Sequence, residues 1–100
     1  MTHSTTNTER ENQGSVDAAF HTIDITALDA AGSESYDPSA ELGLEGATRY
    51  GVTVRGLADD SYRAVYNHTT GELAVTNAAD GTDVASGTAV GEVVLHVVGA

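Results

Sequence analysis

Lysine, cysteine and tryptophan are absent from the sequence, and proline occurs once, at Pro38. Without cysteine there is no disulfide, no thiolate nucleophile and no cysteine-ligated zinc. Basic charge is scarce as well. Arg10, Arg49, Arg55 and Arg63 face fifteen carboxylates, for a net charge of −11. Binding to a phosphate backbone relies on clustered cations that release counterions, so nucleic acid is disfavoured as a partner. No apolar run approaches the roughly 20 residues that a membrane-spanning helix needs. The first residues, MTHSTTNTERENQGSVD, hold neither the basic nor the apolar stretch of a secretory leader, and a cytoplasmic location is the expectation. Large core residues are few: six Leu, two Ile and one Phe. A core built on valine and alanine only narrowly offsets the conformational entropy of ordering one domain. A marginal monomer, or one stabilised by self-association, follows.

What the chain does have is Asp, Glu, Thr and Ala in abundance, with arginine as its sole cation. In that composition, from end to end, it resembles the small acidic proteins of halophilic archaea. The resemblance implies a salt-loving cytoplasm and no particular activity. Carboxylates on such a surface repel one another across a screening length of about 10 Å at 0.1 M salt, which shrinks to about 3 Å at 1 M. The fold is therefore expected to loosen in dilute buffer.

Residues 1–17 are polar, with Met1 and Val16 their only large aliphatics, and read as a flexible tail ahead of a single domain over 18–100. The run from Phe20 to Leu28 alternates, with Ile23 and Ile25 on one face and Thr22, Asp24 and Thr26 on the other, as a half-buried strand does. Residues 29–37 read as loop. Asp37-Pro38 is an N-cap followed by proline at the first helical position, and Gly43 limits the helix to about 38–42. From Tyr50 the pattern is a meander of strands over 50–56, 61–67, 72–77, 82–86 and 92–98. Ala58-Asp59-Asp60 turns the chain after the first of these, and the turns Asn67-His68-Thr69-Thr70-Gly71 and Ala79-Asp80-Gly81 each end in a glycine able to take φ > 0. About six strands with one short helix make a mainly β fold, a small antiparallel barrel or sandwich. The last strand is apolar on both sides, Val93, Leu95 and Val97 on one and Val94 and Val98 on the other. It should be covered on both faces, either centrally in a sheet or in a subunit interface formed by Val94, His96 and Val98.

No catalytic, metal or nucleotide motif emerges. His3 falls in the tail and His68 in a hairpin tip, which leaves His21 and His96 as weak metal candidates, neighbours if the first and last strands pair. Zinc needs three or four ligands on a fixed frame, so ordinary hydrogen-bonded histidines are the simpler reading. The acidic turn residues Asp59, Asp60, Asp80 and Asp83 fail the alternating oxygen spacing of a calcium loop, because Ala78 stands where a ligand is required. An enzyme site would need Asp24, His21 and His96 to converge. Arg49, Arg55 and Arg63 with Tyr50 and Tyr62 could form a stacking patch, or simply pair with surface carboxylates. A small-ligand barrel would set Tyr36, Tyr50, Tyr62 and Tyr66 around a cavity, with Tyr62, Tyr66, Arg55 and Arg63 its binding residues. No cofactor is implied. The favoured expectation is a non-catalytic interaction or regulatory module that pairs with itself, or with another protein, through its sheet.

Overall fold

The computed structural model describes residues 2–13, 16–44 and 51–99. Its strands are β1 (His3–Gln13), β2 (Val16–Ile25), β3 (Ser33–Ser35), β4 (Gly51–Leu57), β5 (Tyr62–Asn67), β6 (Glu72–Asn77) and β7 (Gly91–Gly99), with one helix, α1 (Pro38–Leu42). They form a four-stranded sheet in the order β1-β2-β7-β4 and a three-stranded sheet in the order β3-β6-β5, every pair antiparallel. The sheets face each other as a sandwich rather than closing into a barrel. Between them lies a core of Ile23, Ile25, Leu28, Leu73, Val75, Val93, Leu95 and Val97, all nearly solvent-free. Among the described residues no helix is long and apolar enough to cross a membrane.

Local chemistry accounts for several elements. The Asp37 carboxylate accepts the Ser39 N–H, and Gly43 ends α1 in the left-handed conformation at φ 72°. At the β5–β6 hairpin the Asn67 side chain accepts from the Thr69 and Thr70 amides at 2.9 and 3.3 Å, and Gly71 supplies the positive φ. β7 alternates strictly, with Val93, Leu95, Val97 and Gly99 buried and Val94, His96 and Val98 half-buried on the other face.

Four expectations are corrected. The polar run over 3–13, read as part of a flexible tail, is the eleven-residue edge strand β1, paired with β2 from His3↔Ile25 to Gln13↔Val16. An edge strand needs backbone partners more than an apolar face, and residues 4–10 stay exposed. Residues 33–35, read as loop, form β3 against β6. Residues 82–86, read as a strand, make only an isolated bridge, Thr76↔Asp83. The bridge consists of Val84 N–H to the Val75 carbonyl at 3.3 Å and Asn77 N–H to the Thr82 carbonyl at 2.8 Å, and the Val84 carbonyl is spent elsewhere, accepting the Gly32 N–H at 2.7 Å. The segment thereby plugs Val84 into the core at 2 % exposure. Finally, the expected meander is broken. β4 pairs with β7 instead of β5, and β7 also takes β2 as a neighbour.

Candidate functional site

The densest polar cluster sits where β1, β3 and α1 meet at one end of the sandwich. β1 and β2 bring His3, Thr5 and His21 to it. His3 Nδ1 lies 2.5 Å from Glu34 Oε2, and His3 Nε2 lies 2.5 Å from Glu41 Oε1. Glu34, on β3, is fully buried. It accepts from the Thr2 hydroxyl as well as from the Asp29 N–H at 2.9 Å. A buried carboxylate is tolerated only with such partners. Burial by itself lowers the His3 ring, but hydrogen bonds to Glu34 and Glu41, and their charges, outweigh it and leave the ring raised above its ordinary value. The three side chains thus form a carboxylate–imidazole–carboxylate clamp joining three elements.

Beneath it runs a second network. Tyr36 Oη and His21 Nδ1 are 2.6 Å apart, His21 Nε2 and Thr5 Oγ1 2.9 Å, so a neutral ring uses one nitrogen as donor and the other as acceptor. Burial lowers His21, with His3 and Arg10 adding to the effect and Glu41 opposing it. Burial also raises the Tyr36 phenol, which stays protonated. Tyr66 donates its hydroxyl to the Tyr36 carbonyl at 3.0 Å, and the two rings meet edge to face at 6.2 Å. Above these groups opens a cleft of about 550 Å³, bordered by His3, Tyr36, Asp37, Glu41, Tyr66 and Thr70.

A general base needs a nitrogen or oxygen facing a substrate proton, and both nitrogens of His3 and of His21 are already engaged. Among the described residues no three His, Asp or Glu side chains are placed to hold a metal ion. The two nitrogens of His3 address different carboxylates on opposite sides of the ring.

The residues singled out from the sequence are dispersed. β2 and β7 do pair, but His21 stands opposite Leu95 and His96 opposite Phe20. That one-residue offset puts His21 inside and His96 outside, stacked on Phe20 at 4.7 Å. Asp24 pairs with Glu92 and Ser4 on the outer face, away from His21. Tyr62 and Tyr66 share the inner face of β5, whereas Arg63 lies exposed on the other. Arg55 is exposed at the irregularity between Val54 and Gly56. Of the four tyrosines, Tyr36 and Tyr66 border the cleft and Tyr62 does not; Arg49 and Tyr50 lie outside the described residues. Val94, His96 and Val98 do share one face, the outer side of β7.

Sequence reasoning missed His3, Glu34 and Glu41, since nothing local ties a histidine in a polar run to acids more than thirty residues away. Comparison of the chain with protein-family models, with curated proteins and with solved structures gives no match.

Proposed function

We propose that the protein is a non-catalytic interaction module of a salt-rich cytoplasm, and that it self-associates through the outer face of its four-stranded sheet. The observation that carries this reading is β7. It is a central strand, its inner face is covered by the second sheet, and on its outer face Val94, His96 and Val98 stand half-exposed beside Phe20. A groove of about 520 Å³ runs along this face past Val94, between Thr22 and Leu57. It offers a recess into which an apolar side chain of a second copy fits. The flanks carry Asp24 and Glu92, so two copies meet only where salt screens their charge. A stable interface covers roughly 800 Å² on each partner, so the pairing has to engage the flanking loops as well as the sheet face.

Light scattering or sedimentation at tens of micromolar protein tests this. In 2 M KCl a dimer is expected, shifting toward monomer at 0.1 M salt, and Val94→Glu should leave a folded monomer at either. A wild-type protein that stays strictly monomeric in 2 M KCl overturns the reading.

A second reading, a small-ligand site, has the end cleft in its favour. Tyr36 and Tyr66 supply apolar walls there, and Asp37 and Glu41 supply acceptors. Such a site would suit a small amine. Chemical-shift changes confined to Thr70, Gly71 and Tyr66 on adding simple amines would support it, and the absence of any would end it.

A further inference from the structure

β1 is unusual in how little of it is buried. Residues 4–10 are exposed, and His3 alone among its described side chains is counted in the interior, at 7 % exposure. Polar contacts of its side chains and of the adjoining Thr2 backbone nonetheless strap it down at several places. His3 bridges Glu34 of β3 and Glu41 of α1, and Thr2 reaches Glu34 as well. The Thr2 carbonyl accepts the amides of Thr26 and Ala27 at 3.1 and 3.2 Å. Further along, Arg10 donates to the Leu42 carbonyl at 2.8 Å, at the C-terminal end of α1. Between these anchors the pairing with β2 loses register between Thr5 and Asn7. An irregularity of this kind interrupts the ladder and isolates the segment before it.

We propose that residues 2–5 are a detachable strap, closed while His3 is protonated and released when it loses that proton. Release uncovers the β2 edge at Ile23–Ile25 and opens the neighbouring cleft from one side. The reason lies in donor counting. An imidazolium has two N–H groups, and the clamp uses both, one for each carboxylate. A neutral ring has one N–H and one lone pair, so after deprotonation one of its two carboxylates meets the lone pair at hydrogen-bond distance. That contact is repulsive, and Glu34 lies where water does not reach it. The exposed remainder of the strap has no apolar burial with which to resist.

The groups facing His3 all bear on this equilibrium. From β3 comes Glu34 and from α1 Glu41, both favouring the proton. From β2 comes His21, whose coupling to His3 is repulsive when both rings are charged. Tyr36 stands 6.2 Å away, ring to ring, with its phenol neutral, and Asp37 lies across the cleft. The irregularity after Thr5 sets how far opening spreads. Residues 7–13 keep their own pairing with β2 and the Arg10 anchor, so the strap opens without unfolding the sheet.

Amide hydrogen exchange in 2 M KCl, corrected for the intrinsic pH dependence of exchange, tests the proposal between pH 5.5 and 9. Protection of the His3–Thr5 segment should fall at least tenfold across the titration of His3, while amides of β7 keep theirs. The His3 ring, followed by NMR in the unmodified protein, should titrate with the same midpoint as the opening. His3→Gln should abolish the pH dependence of strap exchange, and Glu41→Gln should move its midpoint downward. Strap protection that stays constant with pH, or that falls together with β7, overturns the proposal. So does a midpoint that differs from that of the ring.

Discussion

At the scale of single residues, two histidines at one end of the sandwich are shifted in opposite directions. Burial holds His21 below its ordinary value of 6.5. Its stabilisation as a neutral ring is therefore complete above about pH 6.5 and is lost as the pH falls through the lowered folded value. His3 behaves inversely. Burial pulls it down, its carboxylate partners pull it further up, and the net rise above 6.5 makes its contribution complete below about pH 6.5. That contribution is lost as the pH rises through the raised folded value. Stability should accordingly fall away on either side of near-neutral pH. In urea unfolding at constant high salt, His21→Asn should be less stable than the wild type at pH 7 yet show a shallower decline from pH 6.5 to 5. An unchanged acid slope would assign the decline to carboxylates alone. Tyr36→Phe should cost about 1–3 kcal/mol, because it strands a buried ring nitrogen of His21 without its partner. These roles were not legible in the sequence. His21 showed its inward face through Ile23 and Ile25, but nothing nearby announced Tyr36 or Thr5 as its partners.

Among the elements, the β3 entry and the 82–86 segment are closely joined, Gly32 N–H donating to the Val84 carbonyl at 2.7 Å. Gly32 has φ 72°, and a Cβ placed on it would lie 2.5 Å from Asp83 Cγ. Gly43 has the same φ with nothing within 4 Å of its Cβ position. Backbone strain alone should make Gly43→Ala cost about 1 kcal/mol. Gly32→Ala adds a collision to that strain and should lower the thermal midpoint by clearly more. The paired variant with Asp83→Ala should recover part of the loss, and equal midpoints for the single and paired variants would refute the collision. Helix α1 and the β5–β6 hairpin were readable, because a cap and an Asx-type turn are settled within five residues. β1 carried weaker signals: three threonines in its first half, then Gly14-Ser15 between the polar run and the apolar Val16, Ala18, Ala19 and Phe20, a pair that suits a two-residue hairpin connection. Its lack of apolar residues masked them.

For the whole molecule, the governing quantity is a net charge of −11 on 100 residues with no lysine to offset it. The described residues contain no arginine–carboxylate pair within 4 Å; their ion pairs are those of His3. Mutual repulsion on the surface is thus left to the solvent to screen. The thermal midpoint should rise steadily from 0.1 to 2 M KCl, and a midpoint that stays put would remove the case for salt adaptation. Outer-face pairing has the same sign of salt dependence, so the comparison belongs on the Val94→Glu variant, where dimerisation cannot contribute.

The amino-acid sequence alone determined the mainly β character, the short capped helix, the two glycine turns and the two-faced apolar pattern of β7. Each of these depends on residues within a few positions of one another, through strand alternation or a side chain closing its own turn. The tertiary structure decided which strands are neighbours, that β1 joins the sheet, and that Val84 accepts from Gly32 while donating to Val75. It also set the register that parts His21 from His96 and brings His3 between Glu34 and Glu41. Those outcomes depend on which backbone edges and buried charges find partners across the whole chain, a competition that no local stretch of sequence contains.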